Sequence, residues 1–154
     1  MNTVIAPTPV RRMDITLRRD MPGFAGARHF RVEPLLEDNT VFARLHCSDP
    51  VSVRGGESWD GLSLLVASPG YLWPDYDLAI DESLVIDLEI RNDEDLMVLA
   101  VVHPRDPLSA STVNLYSPLV INQRTGAGEQ YVPAASEDDV GWSLRTPFPP
   151  ASDD

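Results

Sequence analysis

The chain has 154 residues, enough for one domain with a proper core, and its 43% hydrophobic share marks a folding sequence. It carries 24 acidic residues against 12 basic ones, all arginine, for a formal net charge of −12. Such a charge disfavours direct binding of nucleic acid or anionic lipid and favours basic protein partners.

The charge is uneven. Residues 1–32 hold six Arg and two Asp, net +4, whereas residues 33–154 hold six Arg and 22 acids, net −16. No run reaches the length of a membrane span, and the first residues lack the basic-then-apolar order of a signal peptide, so the reading is of a cytoplasmic protein. Cys47 is the single cysteine, which permits no internal disulfide.

In chain order, residues 1–9 and 146–154 are rich in Pro, Ser and Thr and read as frayed ends. Residues 12–19 alternate apolar Met13, Ile15 and Leu17 with polar neighbours, a strand with one buried face. Met21-Pro22-Gly23-Phe24 reads as a type II turn, Gly23 supplying the positive φ and Phe24 a core anchor. Residues 29–36 and 40–46 are further strands, the first with Phe30 and Val32 on one face. Residues 54–61, with three glycines, read as an exposed loop with Trp59 at the surface. Residues 62–67 read as a central strand buried on both faces.

Ser68-Pro69-Gly70 ends that strand, and residues 71–77 gather three aromatics around Pro74, an aromatic plug on irregular core. Residues 81–87 fit a short helix capped by Asp81, although Val85 and Ile86 suit a strand equally well. Asn92-Asp93-Glu94-Asp95 is an acidic turn, and residues 96–103 form the most apolar strand, ended by Pro104. Residues 112–122 are two short strands joined through Ser117-Pro118, with Val113 and Leu115 on one face and Asn114 opposite. Pro118 cannot donate to a ladder and marks a bend or bulge. Asn122 stands at the entry to a turn at residues 126–128, where its amide can tie down backbone, and residues 129–132 return as a partner strand. Trp142 and Leu144 dock a last segment. Short strands punctuated by Pro and Gly, without long helical periodicity, predict an all-β, mostly antiparallel, barrel-like single domain with at most one or two short helical turns.

The residues offer no catalytic constellation. His29, His46 and His103 lie far apart with no metal-ligand spacing. His46 and Cys47 are neighbours on a strand and point to opposite faces, a poor base–nucleophile pair. Asp75 and Asp77 could share a face, but no base or metal motif accompanies them, and Ser109 and Ser111 lack a nucleophile elbow. No enzyme, metal or cofactor is indicated, and binding is the remaining kind of function.

Four stretches, taken together, resemble the FliW family: MPGFAGARHFRV, SPGYLWPDYDLAI, NDEDLMVLAVVHPRDP and STVNLYSPLVINQRTGAGEQYV. They run in the family's order and spacing over about residues 12–132. The resemblance implies a cytoplasmic, non-enzymatic β-barrel that binds flagellin and the RNA-binding translational regulator CsrA. It implies a FliW-like domain at residues 11–145, with flexible segments at 1–10 and 146–154. Departures from the family pattern are the glycine-rich residues 54–61 and both ends. Candidate partner-binding residues are Asp93, Glu94 and Asp95 for a basic partner, Leu72, Trp73 and Tyr76 as an apolar anchor, and Asn114 and Asn122 in the family-like stretch. A competing reading is a small acidic carbohydrate- or peptide-binding β-module, with Trp59, Tyr71, Trp73 and Tyr76 lining a groove. A hydrolase built on Asp75 and Asp77 is the remaining alternative.

Overall fold

The computed structural model describes residues 3–35, 41–53 and 56–149. The strands are β1 (Thr3–Val4), β2 (Met13–Leu17), β3 (His29–Pro34), β4 (Phe42–Cys47), β5 (Val51–Ser52), β6 (Ser58–Trp59) and β7 (Ser63–Ala67). They continue with β8 (Asp77–Leu78), β9 (Leu96–His103), β10 (Thr112–Val113), β11 (Leu119–Asn122), β12 (Ala127–Gln130) and β13 (Thr146–Pro147). Two short helices, α1 (Glu82–Asp87) and α2 (Glu137–Val140), join them, with 3-10 turns at Pro69–Tyr71, Asp93–Asp95 and Leu108–Ala110.

Seven strands close on themselves in the order β9, β11, β12, β2, β3, β4, β7 and back to β9. All these pairings are antiparallel except β12 with β2, which is parallel. Closure gives each of the seven strands a partner on both sides, although the β7–β9 and β12–β2 ladders are only two residue pairs long. The alternation in β2 and β3 does what its pattern predicts: Ile15, Leu17, Phe30 and Val32 turn inward. There they meet Leu45, Val66, Met97, Leu99, Leu119 and Ile121. Strand β9 is buried on both sides, because its other face carries Val98, Ala100 and Val102 into a second cluster with Ile5, Tyr76, Val113 and Leu115. Helix α1 seals a third, laying Leu84, and Leu88 just past its end, against Val120 and Tyr131. Strand β7, read as buried throughout, runs from exposed Ser63 through half-buried Leu64 and Leu65 to buried Val66 and Ala67. Only Val66 and Ala67 have partners on β9 as well as on β4, so Ser63–Leu65 are covered along one edge alone.

The segments read as frayed ends are partly built in. At one end β1 pairs with β8, Ile5 N donates to Tyr76 O at 2.8 Å, and Ile5 and Val10 are buried. At the other, β13 pairs with β10, and the Phe148 ring sits 6.1 Å from that of Phe42. Residues 1, 2 and 150–154 lie outside the described residues. Within the glycine-rich stretch, residues 54 and 55 also lie outside them, and Ser58–Trp59 forms a two-residue hairpin with β5 rather than loop; Trp59 is 47% exposed. Trp142 docks as read, edge-on to Tyr76 at 5.0 Å, while Leu144 stays exposed. Gly23 takes φ +88 in the Met21–Phe24 turn, and Phe24 N donates to Met21 O at 2.9 Å.

The stretch Thr112–Asn122 runs antiparallel along one side of β9, but not continuously. Thr112 pairs with His103 and Leu119 with Leu99, so seven steps of this segment span four of β9 and three residues loop out. Asn114 Oδ1 accepts Ser117 N at 2.9 Å and shapes that loop, while Ser117 Oγ donates to Tyr131 O at 2.7 Å. Pro118 stands where the missing donor costs nothing, at the re-entry into the ladder.

Candidate partner-binding surface

The acidic turn before β9 is set by Asn92, whose Oδ1 accepts Glu94 N at 3.0 Å and caps the 3-10 turn. This throws Asp93 and Glu94 outward, both exposed. Asp95 turns the other way. It is 6% exposed, accepts Arg91 N on Oδ2 at 2.9 Å and faces Arg124 Nε at 3.4 Å. The Arg91 amide foremost, with Arg124 adding to it, holds the Asp95 carboxyl below its ordinary range against the opposing effect of desolvation. Asp95 is therefore a fastener of the turn, and only Asp93 and Glu94 offer free carboxylates to a partner.

Asn122 is fully buried. Its Nδ2 donates to Leu88 O at 2.8 Å and to Glu89 O at 3.2 Å, and its Oδ1 accepts Arg124 N and Thr125 N. Glu89 is the one non-glycine residue among those described with positive φ, +53, and its carbonyl is also held by Arg124 Nη2 at 2.8 Å. One amide thus ties the end of α1 to the β11–β12 turn. Asn114 is half-buried in its own loop.

Of the apolar candidates, Tyr76 is fully buried, with its hydroxyl donated to Leu115 O at 2.7 Å and burial pushing its pKa up. Leu72 and Trp73 are half-buried over the second cluster. Tyr76 and Asn122 hold the scaffold and are out of a partner's direct reach. The accessible members of the set are Leu72, Trp73, Asp93, Glu94 and Asn114.

Groups with chemical potential are dispersed. His46 is exposed on the outer face of β4 while Cys47 is buried, where desolvation raises its thiol pKa. Asp77 accepts Trp142 Nε1 at 2.8 Å, and Asp75 is exposed. His29 is held 3.1 Å from Asp49. Among the described residues no three His, Cys, Asp or Glu gather as metal ligands. No helix is long and apolar enough to cross a membrane. Of the four aromatics of the sugar-binding reading, Tyr76 is fully buried against the Trp142 ring, Trp73 is half-buried, and Trp59 and Tyr71 are exposed.

Two clefts went unread in the sequence. One, of about 460 Å³, lies on the outer face of β2–β4 over Asp14, Arg31, His29 and His46. Asp14 and Arg31 pair there at 3.0 Å. The other opens at the barrel mouth beside the Met21–Phe24 turn. Residues from six separate segments line it, and linear spacing carries no sign of that.

A family model described as FliW protein matches residues 5–148. A flagellar assembly factor FliW from Clostridium novyi is 36% identical over 118 residues, covering 77% of this chain and 76% of the relative. One from Bacillus licheniformis is 33% identical over the same coverage, and one from Clostridium kluyveri 30% over 134 residues, 87% and 83% of the two chains. In fold, the chain is similar to a crystal structure of the flagellar assembly factor FliW, with a TM-score of 0.69 at 22% identity over 90% and 88% of the chains. The matched span runs from the buried Ile5 to Phe148, taking in the barrel and both docked ends, and the chain belongs to the FliW family.

Proposed function

We propose that this chain is a cytoplasmic, non-enzymatic flagellar assembly factor that binds flagellin and the translational regulator CsrA, coupling flagellin synthesis to export. Family membership carries the reading. In this scheme the factor, freed when flagellin is exported, captures CsrA and relieves repression of flagellin mRNA; accumulating flagellin takes the factor back. The dispersal of His46, Cys47, Asp75 and Asp77 favours binding over chemistry. Accessible Asp93 and Glu94, with Leu72 and Trp73, are the proposed contacts.

The charge supports a way of antagonising an RNA-binding protein without covering its RNA site. A body of net −16 over residues 33–154, held against a basic regulator, opposes the approach of RNA phosphates within a screening length of about 10 Å. Co-purification with the host's flagellin and CsrA tests the assignment; retention of both supports it and retention of neither rejects it. Displacement of RNA from CsrA at low and high ionic strength tests the charge mechanism. Antagonism that weakens with salt is expected, and a salt-independent effect rejects it.

A further inference from the structure

The cleft at the barrel mouth has a volume of about 440 Å³ and an apolar floor. Phe24, Leu64 and Val101 pack against the interior cluster yet remain only half-buried, because the mouth leaves them uncovered. They are reachable because β7 and β9 diverge. The pairing of these strands consists of Val66 with Val101 and Ala67 with Ala100; beyond it, Ser63–Leu65 find partners on β4 and Val102–His103 on β10.

The rim is cationic. Arg44 lines the cleft and carries the charge there, while His103, also in the lining, is held toward its neutral form by burial and by Arg145 and Arg105, the two further cations close to it. Among the described residues, ion pairs engage Arg18, Arg19, His29, Arg31 and Arg124, but not Arg44, Arg105 or Arg145. The acids nearest in register and sequence are Glu33, opposite Arg44, and Asp106, beside Arg105. On a chain of net charge −12, uncommitted cations gathered around an apolar opening select an occupant of opposite charge.

We infer that the barrel mouth is a docking site for a peptide segment in which a bulky apolar side chain is flanked by carboxylates. The side chain covers Phe24, Leu64 and Val101, and the carboxylates meet Arg44 and the cluster around His103. An apolar anchor in a pocket with charged neighbours is the common form of an interface hot spot. The inference goes beyond the partner assignment above and does not depend on it.

The test is amide chemical-shift mapping on the full-length ¹⁵N-labelled protein. The probe is a blocked octapeptide with phenylalanine among glutamates, and its counterpart carries lysines. Saturable shifts at Leu64, Leu65, Val101 and His103 are expected with the glutamate peptide and not with the lysine peptide. Arg44 is exposed, so Arg44→Glu leaves the fold intact, and it should weaken binding by about five-fold or more. Arg91→Glu makes the same charge change before the other end of β9 and should have less effect. No saturable shifts at millimolar peptide, shifts scattered away from the mouth, an equal response to the lysine peptide, or equal weakening by both variants would each overturn the inference.

Discussion

The Tyr76 hydroxyl donates to the Leu115 carbonyl at 2.7 Å, at the point where the chain leaves β10 and loops out before re-entering the ladder at β11. Leu115 is itself fully buried, and its N–H donates to Val113 O and Ser143 O at 3.1 Å each. An aromatic from the irregular segment after β7 thus serves as the hydrogen-bond partner that a neighbouring strand supplies elsewhere.

Tyr76→Phe keeps the ring against Trp142 and strands that carbonyl. A buried acceptor left without its donor costs about 1–3 kcal/mol. Urea unfolding should show a lower midpoint with an unchanged slope. An unchanged midpoint would mean that the loop re-forms around another donor.

Asn122→Ala removes two donors and two acceptor contacts from a fully buried site, leaving the Glu89 carbonyl to Arg124 alone. The expected loss is about 2–4 kcal/mol, at the upper end for a single polar site. Asn122→Asp retains the acceptor but turns an anion toward the Leu88 and Glu89 carbonyls, so it should destabilise more than alanine at pH 7. A milder effect of aspartate would show that the acceptor side of the amide dominates.

These two residues show what periodicity reveals and what it hides. Strand β9 was legible to its last residue, since seven apolar positions and His103 end at a proline, and in β3 alternation placed Phe30 and Val32 inward. The bulge at Pro118 and the tie at Asn122 followed from proline's missing donor and the amide's reach. The parallel β12–β2 pairing was not legible, because nothing local distinguishes it from a hairpin partner. Strands β1 and β13 have two residues each, too few to show a period, and lie among prolines that signal disorder when counted by composition. At the candidate surface, the acidic turn could be located but not oriented. Asp93 and Asp95 stand two apart in one run, and only the Asn92 cap decides that one faces water and the other Arg124.

Gly70, in the 3-10 turn after β7, packs against an N-terminal strap at Ile5–Pro7. A Cβ there would meet Ile5 O at 2.8 Å and Pro7 N at 2.9 Å, backbone atoms that cannot swing aside as a side chain can. Ser68 Oγ, donating to Thr8 O at 2.7 Å, holds the same contact. Gly70→Ala should therefore displace the strap at a cost of about 1–3 kcal/mol. Hydrogen exchange at the Ile5 amide, now donated to Tyr76 O, should accelerate more than exchange in β3 or β4. Uniform acceleration across the barrel would mean instead that the strap and barrel unfold as one unit.

Three titrating groups act on acid stability with the same sign, at different pH. Burial, followed by Arg145 and Arg105, lowers the His103 pKa below 6.5, so the folded state favours its neutral form. The Asp49 carboxyl is lowered by the His29 and then the Arg28 amide, at 2.8 and 3.0 Å, and Asp95 foremost by the Arg91 amide. In each case the unfolded chain binds the proton more readily, so stability is full above the unfolded pKa and falls as pH drops below it. Denaturation across pH 8 to 3 should show a first decline below about pH 6.5, where unperturbed histidine titrates, and a steeper one below about pH 5. His103→Gln should remove the first. Asp49→Asn with Asp95→Asn should flatten the second, since the amide oxygen still accepts from the same backbone groups without a proton to bind. A double variant as acid-sensitive as the wild type would assign the decline to other carboxylates among the chain's 24 acids.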